Sequence, residues 1–296
     1  MNFVRQGKQK ITGVLARKTT RTTVATKPAA APSYDLPPAM IIKAIWAFIR
    51  RQERSVWDDT TTLVQQQSLA PVYLDTENLP ERGPFVLIPN HYERKDAVWV
   101  GWGAIAMTAE IARVRSRAAV SKLHWVMTDT WADCFIGPFH VAPKYLGWVL
   151  KGFGDVYGII RMPAHDLPNH DLQRPRSASA LHEIFDTLDR GECIAVHPEA
   201  GGFETLIQPP RGAGRVLACF DRRHVPIVPV GVYEENGHLT IRFGQPLAPG
   251  SFLGLSDQDA ADTAMLAIAE LVPERTRGVY AERFAKHAAR ELKVVS

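Results

Sequence analysis

The sequence predicts an α/β fold, a central mixed sheet flanked by helices, and three observations predict it. Short apolar runs rich in β-branched residues recur along the chain, at Phe85–Ile88, Cys193–Val196 and Val225–Val232. Runs of this length and composition are what strands buried on both faces look like. Segments with helical spacing stand between and after them, at 97–112, 177–190 and 256–272. Polar residues able to do chemistry follow directly on the apolar runs, where α/β folds place their sites. The 296 residues can bury a large core, and 46% hydrophobic with 22% charged residues is ordinary for a globular protein.

Taken in order, the chain divides into three stretches. Residues 1–36 read as a disordered basic tail. Arg5, Lys8, Lys10, Arg17, Lys18, Arg21 and Lys27 give residues 1–34 a charge of +7 with no acid. Of the net +4 that leaves −3 for 35–296, 28 basic residues against 31 acidic. The basic balance belongs to the tail. An arm drawn to anionic membrane, a transit peptide and a solubilising extension all fit it. Nucleic acid is not expected as a partner, because the tail lacks interleaved aromatics and the body is not basic.

Residues 37–70 read as a helical segment. Pro37-Pro38 opens a helix that runs through Met40–Ile49 to Arg50-Arg51, apolar around most of its circumference. It is too short to span a bilayer, and no run in the chain reaches the ~20 apolar residues a span needs. Insertion at a membrane surface and packing on the body are both open to it.

Residues 71–296 read as the α/β domain. Pro71–Leu74 is an edge strand. Phe85–Ile88 is a buried strand ended by Pro89, which cannot donate to a ladder. Asn90-His91-Tyr92-Glu93-Arg94-Lys95-Asp96 follows it. An imidazole can take a proton from a hydroxyl, and a carboxylate can orient it and stabilise the imidazolium. Positions five apart do not share a helix face, so the backbone must bend between His91 and Asp96. Ala97–Ala112 is then an apolar helix, and 118–120 and 124–127 are two short strands. Trp131–Phe153, aromatic and Gly/Pro-rich, reads as a surface patch for lipid or an irregular covering loop. Gly154–Arg161 reads as a strand delivering an arginine suited to a phosphate. Met162–Arg176 is a polar loop. Ser177 caps a helix that Gly191 stops.

Cys193–Val196 ends in His197-Pro198-Glu199-Ala200-Gly201-Gly202. There Glu199 can accept from a hydroxyl, and the glycines let a ligand approach the backbone. Arg211-Gly212-Ala213-Gly214-Arg215 at a helix start suits an anion. Val225–Val232 and Leu239–Phe243 are strands, Ser256 caps a helix, and Pro273–Leu292 is a terminal helix. Three scattered cysteines, Cys134, Cys193 and Cys219, argue against a disulfide scaffold or zinc site and fit a reducing compartment.

The ordered set from Leu79 to Gln245 resembles the lysophosphatidate/glycerolipid acyltransferase family. Asn90-His91…Asp96 resembles its first motif, Trp148–Arg161 its second, Pro198-Glu199 the start of its third and Val225–Val230 its fourth. Arg211-Gly212 is similar to the basic-Gly pair after the third. The chain departs from the pattern in two places. It reads Pro198-Glu199-Ala200-Gly201-Gly202-Phe203 where the family continues Gly-Thr-Arg-Ser. Gly154 to Arg161 is one residue longer, an excess Gly158 could absorb as a bulge.

The resemblance implies acyl transfer from acyl-CoA or acyl-ACP, as substrate rather than cofactor, to a hydroxyl of a lysophospholipid-like acceptor. His91 and Asp96 would be catalytic. Arg161, Glu199, Gly201 and Arg211 would bind the acceptor. No metal or redox cofactor is implied. The implied place is the cytoplasmic face of a membrane, held peripherally. No Gly-x-Ser-x-Gly elbow supports an acyl-serine route. A thioester or ester hydrolase and a non-catalytic lipid-binding protein remain the alternative readings.

Overall fold

The computed structural model describes Tyr34 and residues 38–95, 97–115, 122–129, 134–136, 139–141, 143–163 and 170–295. Of the basic tail only Tyr34 is described, and it is not disordered as expected but buried, its hydroxyl accepting from Leu239 N at 2.8 Å. Asp96, the expected strand at 118–120 and His165-Asp166 also lie outside the described residues. In chain order the elements are α1 (Pro38–Ile49), α2 (Val56–Gln65), β1 (Val72–Leu74), β2 (Val86–Pro89), α3 (Gly101–Val114), β3 (Leu123–Thr128), β4 (Cys134–Ile136), β5 (Phe139–Val141), α4 (Pro143–Tyr157), β6 (Ile160–Met162), α5 (His170–Asp189), β7 (Cys193–Ala195), α6 (Ala213–Asp221), β8 (Ile227–Glu235), β9 (His238–Phe243), α7 (Asp257–Leu271) and α8 (Ala281–Val295).

Seven strands form one sheet in the order β1-β9-β8-β2-β7-β3-β6, and β4-β5 is a separate antiparallel ribbon. β8 and β9 are antiparallel and every other pair in the sheet is parallel, so the sheet is mixed. The antiparallel pair arises locally. Asn236 and Gly237 carry φ of +51° and +82°, the left-handed pair that a two-residue hairpin turn needs.

Helices cover both faces, and strand alternation decides which residue meets which. Leu87, Ala195 and Trp125 face Trp102, Met107 and Ile111 of α3 and Leu63 of α2. Val86, Ile88 and Ile194 face Ile184 and Leu188 of α5, Phe220 of α6 and Ala264 of α7. β2, β7 and most of β8 are buried throughout, which is why their sequences are unbroken apolar runs.

Several expected elements differ. Residues 131–153 are no irregular loop where described: they hold the β4-β5 ribbon and most of α4. Gly154–Tyr157 is helix rather than strand, and Gly158, at φ +68°, is the left-handed stop after α4, not a bulge. α5 begins at His170, so Ser177 is inside it and Pro175 sits in its first turns. The C-terminal stretch makes two 3-10 turns before α8, the second opening at Gly278 with φ +50°.

α1 runs as expected, but among its described side chains only Ala44 and Ala47 are buried. Ile42, Ile45, Trp46 and Ile49 are 46–59% exposed and recur at helical spacing, so they share one face. Phe48 meets Trp148 of α4 edge-on with centroids 4.3 Å apart, and Trp148 is itself 58% exposed.

Candidate active site

β2 and β7 lie side by side and parallel, with Leu87 level with Ala195. Their chains therefore leave the sheet together, which brings the segment after Pro89 against the segment after Ala195. Asn90 is the first anchor: its amide donates to Val232 O at 2.8 Å and accepts from Val232 N at 2.7 Å.

The two loops are then tied backbone to backbone. Phe203 N donates to His91 O at 2.9 Å, and Glu93 N to Phe203 O at 3.2 Å. Glu199, only 3% exposed, joins them with its side chain. One carboxylate oxygen accepts from His91 N and the other from Ile207 N, both at 2.8 Å. Burial pushes the Glu199 carboxyl up to about 7, against the pull of those two amides. Glu199 thus has both oxygens on backbone amides, where the sequence assigned it to an acceptor hydroxyl.

The glycine pair serves this approach. A Cβ on Gly202 would lie 2.8 Å from both Glu93 Oε2 and Val100 Cγ2, and one on Gly201 would lie 3.0 Å from Phe203 Cε2. The space beside Gly202 is filled by the protein's own neighbouring loop, not by a ligand. Ala200 sits at φ +55°, a left-handed conformation that a non-glycine residue adopts at a cost.

The His91 ring stacks on His197, with centroids 4.1 Å apart and planes 20° apart. Trp125 stacks on His197 as well, at 5.4 Å and 26°. Desolvation pushes the His91 imidazole down to about 4, and a backbone hydrogen bond with Gly201 pulls the other way. His91 is therefore neutral at neutral pH and able to accept a proton. Its Nδ1 is buried and has no partner among the described residues.

The chain after His91 is tied at Arg94 and Val98. Arg94 N donates to Val98 O at 3.0 Å, and Val98 N to Arg94 O at 2.9 Å. The Arg94 guanidinium forks onto both oxygens of Glu234, and Tyr92 Oη donates to the same carboxylate at 2.9 Å. Asp96 itself lies outside the described residues.

The two arginines lie elsewhere. Arg161 is half-buried in the edge strand β6, level with Met127 of β3, its Cδ 3.1 Å from where a Cβ on Gly154 would be. Three strand spacings separate β6 from β2, roughly 14 Å. Arg211 is exposed beside the start of α6. The anion at that helix start belongs to the protein: Asp257 accepts from Gly212 N at 2.7 Å and Arg215 N at 2.9 Å. Burial alone would raise its carboxyl, but the Gly212 and Arg215 backbone bonds hold it below the ordinary range. A Cβ on Gly214 would come within 1.9 Å of Asp257 O, so this glycine serves the packing of α6 on α7.

His91, Glu199 and Gly201 are thus brought together, and Arg161 and Arg211 are not placed with them. Sequence reasoning gives no role to His197, Asn90 or the Arg94–Glu234 pair. The one signal for His197 is its place at the end of a buried strand. The other two pair residues 142 and 140 positions apart, which no local pattern marks.

No protein-family model matches the chain, and no curated protein does. Among solved structures it is similar to the crystal structure of the 1-acyl-sn-glycerophosphate (LPA) acyltransferase PlsC from Thermotoga maritima. The identity is 10%, the match covers 80% of this chain and 83% of that one, and the TM-score is 0.45. A likeness at that level says nothing about activity.

Proposed function

We propose that this chain is an acyltransferase. It moves an acyl chain from a thioester of coenzyme A or acyl carrier protein to a hydroxyl of a lysophospholipid-like acceptor at a membrane surface. The observation that carries the reading is the neutral His91 imidazole just past β2, its loop held by Glu199 from the neighbouring strand's loop. With Nδ1 buried, the other ring nitrogen takes the proton of the acceptor hydroxyl as its oxygen bonds to the thioester carbonyl carbon. Backbone N–H groups of the loop hold the oxyanion. Collapse breaks the C–S bond, and the imidazolium returns its proton to the departing thiolate. Asp96 is the residue assigned to orient His91 and to balance the imidazolium charge. Glu199 is a positioning residue in this scheme, not a contact to the acceptor.

The test is thioester consumption with and without lysolipid. Acceptor-dependent thiol release with an equal yield of ester is the expected result. Acceptor-independent release would make the protein a hydrolase, and no release in either arm would leave a lipid-binding protein without this chemistry.

Arg161 and Arg211 meet an anionic headgroup that reaches away from the hydroxyl. Arg161→Ala is expected to raise the acceptor KM about tenfold with kcat held, the pattern of lost uniform binding. An unchanged KM in a folded variant would remove Arg161 from the acceptor site.

Contact with the membrane falls to the exposed face of α1 and to Trp148, with Lys43, Arg50 and Arg51 at its margin. No helix among the described residues is long and apolar enough to cross a membrane. Burying a large apolar side chain is worth about 1.5–3 kcal/mol. Trp46→Ser with Ile49→Ser is therefore expected to cut partitioning onto anionic vesicles by at least about tenfold. Co-sedimentation of the two full-length proteins measures this, and equal binding would sink the assignment.

A further inference from the structure

We infer that His197 is a positioning residue that holds the plane of the His91 ring, an inference that rests on reading His91 as the general base. Glu199 fixes the His91 backbone, but the side chain still has two torsions. Its Nδ1 has no partner among the described residues. Besides a backbone hydrogen bond with Gly201, the ring has the stack on His197 at 4.1 Å and 20°, and it is the stack that bears on its whole plane.

His197 is itself immobilised. Its Nδ1 lies 3.2 Å from Pro89 O, and a carbonyl only accepts, so Nδ1 carries the hydrogen and the tautomer is set. The Trp125 ring stacks on it, and Trp125 Nε1 donates to Thr108 Oγ1 of α3 at 2.9 Å. The plane of His91 is thus referred, ring by ring, to β3 and α3, which belong to the rigid core. His197 follows β7, which pairs with β2, and Trp125 lies in β3 on the far side of β7, so the stack spans three neighbouring strands. Part of the His197 surface reaches solvent, but protein surrounds its ring. Desolvation first, and the His91 charge second, push it well below its ordinary value. His197 therefore stays neutral and stacks as an uncharged aromatic ring rather than repelling an imidazolium at His91.

A ring misplaced by about 1 Å can cost on the order of a hundredfold in rate without any change in affinity. His197→Ala is therefore expected to lower kcat about a hundredfold with acceptor KM unchanged, and His197→Phe, which keeps a flat ring, to restore most of it. Unchanged kcat in His197→Ala would overturn the inference. So would equal losses in the Ala and Phe variants, because the stack would then not be what matters. If the Ala variant does not fold, His197→Leu fills the volume without a plane, and the same comparison with Phe decides. A second readout stands apart from activity. In full-length protein carrying 13Cε1-labelled histidine, the His91 Hε1 resonance should shift and broaden in the Ala variant but not in the Phe variant. A protein with no acyl transfer yet with that shift would lose the general-base reading and keep the ring contact. An unmoved resonance would remove the contact itself.

Discussion

His91→Ala is expected to lose about a hundred- to ten-thousand-fold of kcat, the usual range for a general base, while keeping its fold. The ring is half-buried, and what its removal gives up among the described residues is the backbone hydrogen bond with Gly201 and the stack on His197. Its backbone ties to Glu199 and Phe203 do not depend on the side chain. Asp96→Asn is expected to lose rate as well, and the double variant to be little worse than His91→Ala if the two act as a unit. The pH profile is part of the same prediction. Since desolvation pushes His91 down to about 4, the rate should rise through pH about 4 and stay flat above pH 5 to 6. Histidine's ordinary value is 6.5, and a midpoint there would mean that the Asp96 charge offsets the desolvation. A folded His91→Ala protein with near-wild-type transfer would end the assignment.

Glu199→Ala is expected to cost about 2–6 kcal/mol of stability, because it strands two buried amides at about 1–3 kcal/mol each. Those amides, His91 N and Ile207 N, otherwise meet the carboxylate at 2.8 Å. The loss reads out as a lower urea midpoint, with activity falling in step as the His91 loop loosens. Glu199→Gln leaves one acceptor oxygen and turns an NH2 group toward the other amide, so an intermediate loss is expected. Its pH dependence is distinctive. Glu199 is pushed up from 4.5 to about 7, so folding takes up a proton and its contribution, full below 4.5, is lost as pH rises through about 7. His91 is pushed down from 6.5 to about 4, so its contribution, full above 6.5, is lost as pH falls through about 4. Between pH 4.5 and 6.5 the two trends oppose each other. Glu199→Gln removes one of them, and its stability should climb with pH across that window more steeply than the wild type's. Urea unfolding at three pH values decides it, and parallel slopes would mean that the Glu199 carboxyl is not held in this buried state.

What the sequence determined by itself about this protein is what depends on neighbours along the chain. The β2, β7 and β8 runs are apolar at every position because both their faces are covered, so they were legible as strands. Ser256 marked the start of α7 by its hydroxyl, and Gly191 the end of α5 by its positive φ. The place of His91 just past a buried strand was legible, because the apolar run and Pro89 mark where β2 ends. Residues 143–157 were not legible, since their Gly and aromatic content masks a helix that packs against α1 and β6. The tertiary structure alone decided what the polar residues touch. Glu199 accepts from His91 N across 108 positions, and Asp257 supplies the anion at the start of α6 across 45. His197 meets His91 because β7 pairs with β2. A side chain's partner is set by which strands lie side by side and in which register, and neither is written in the local order of residues.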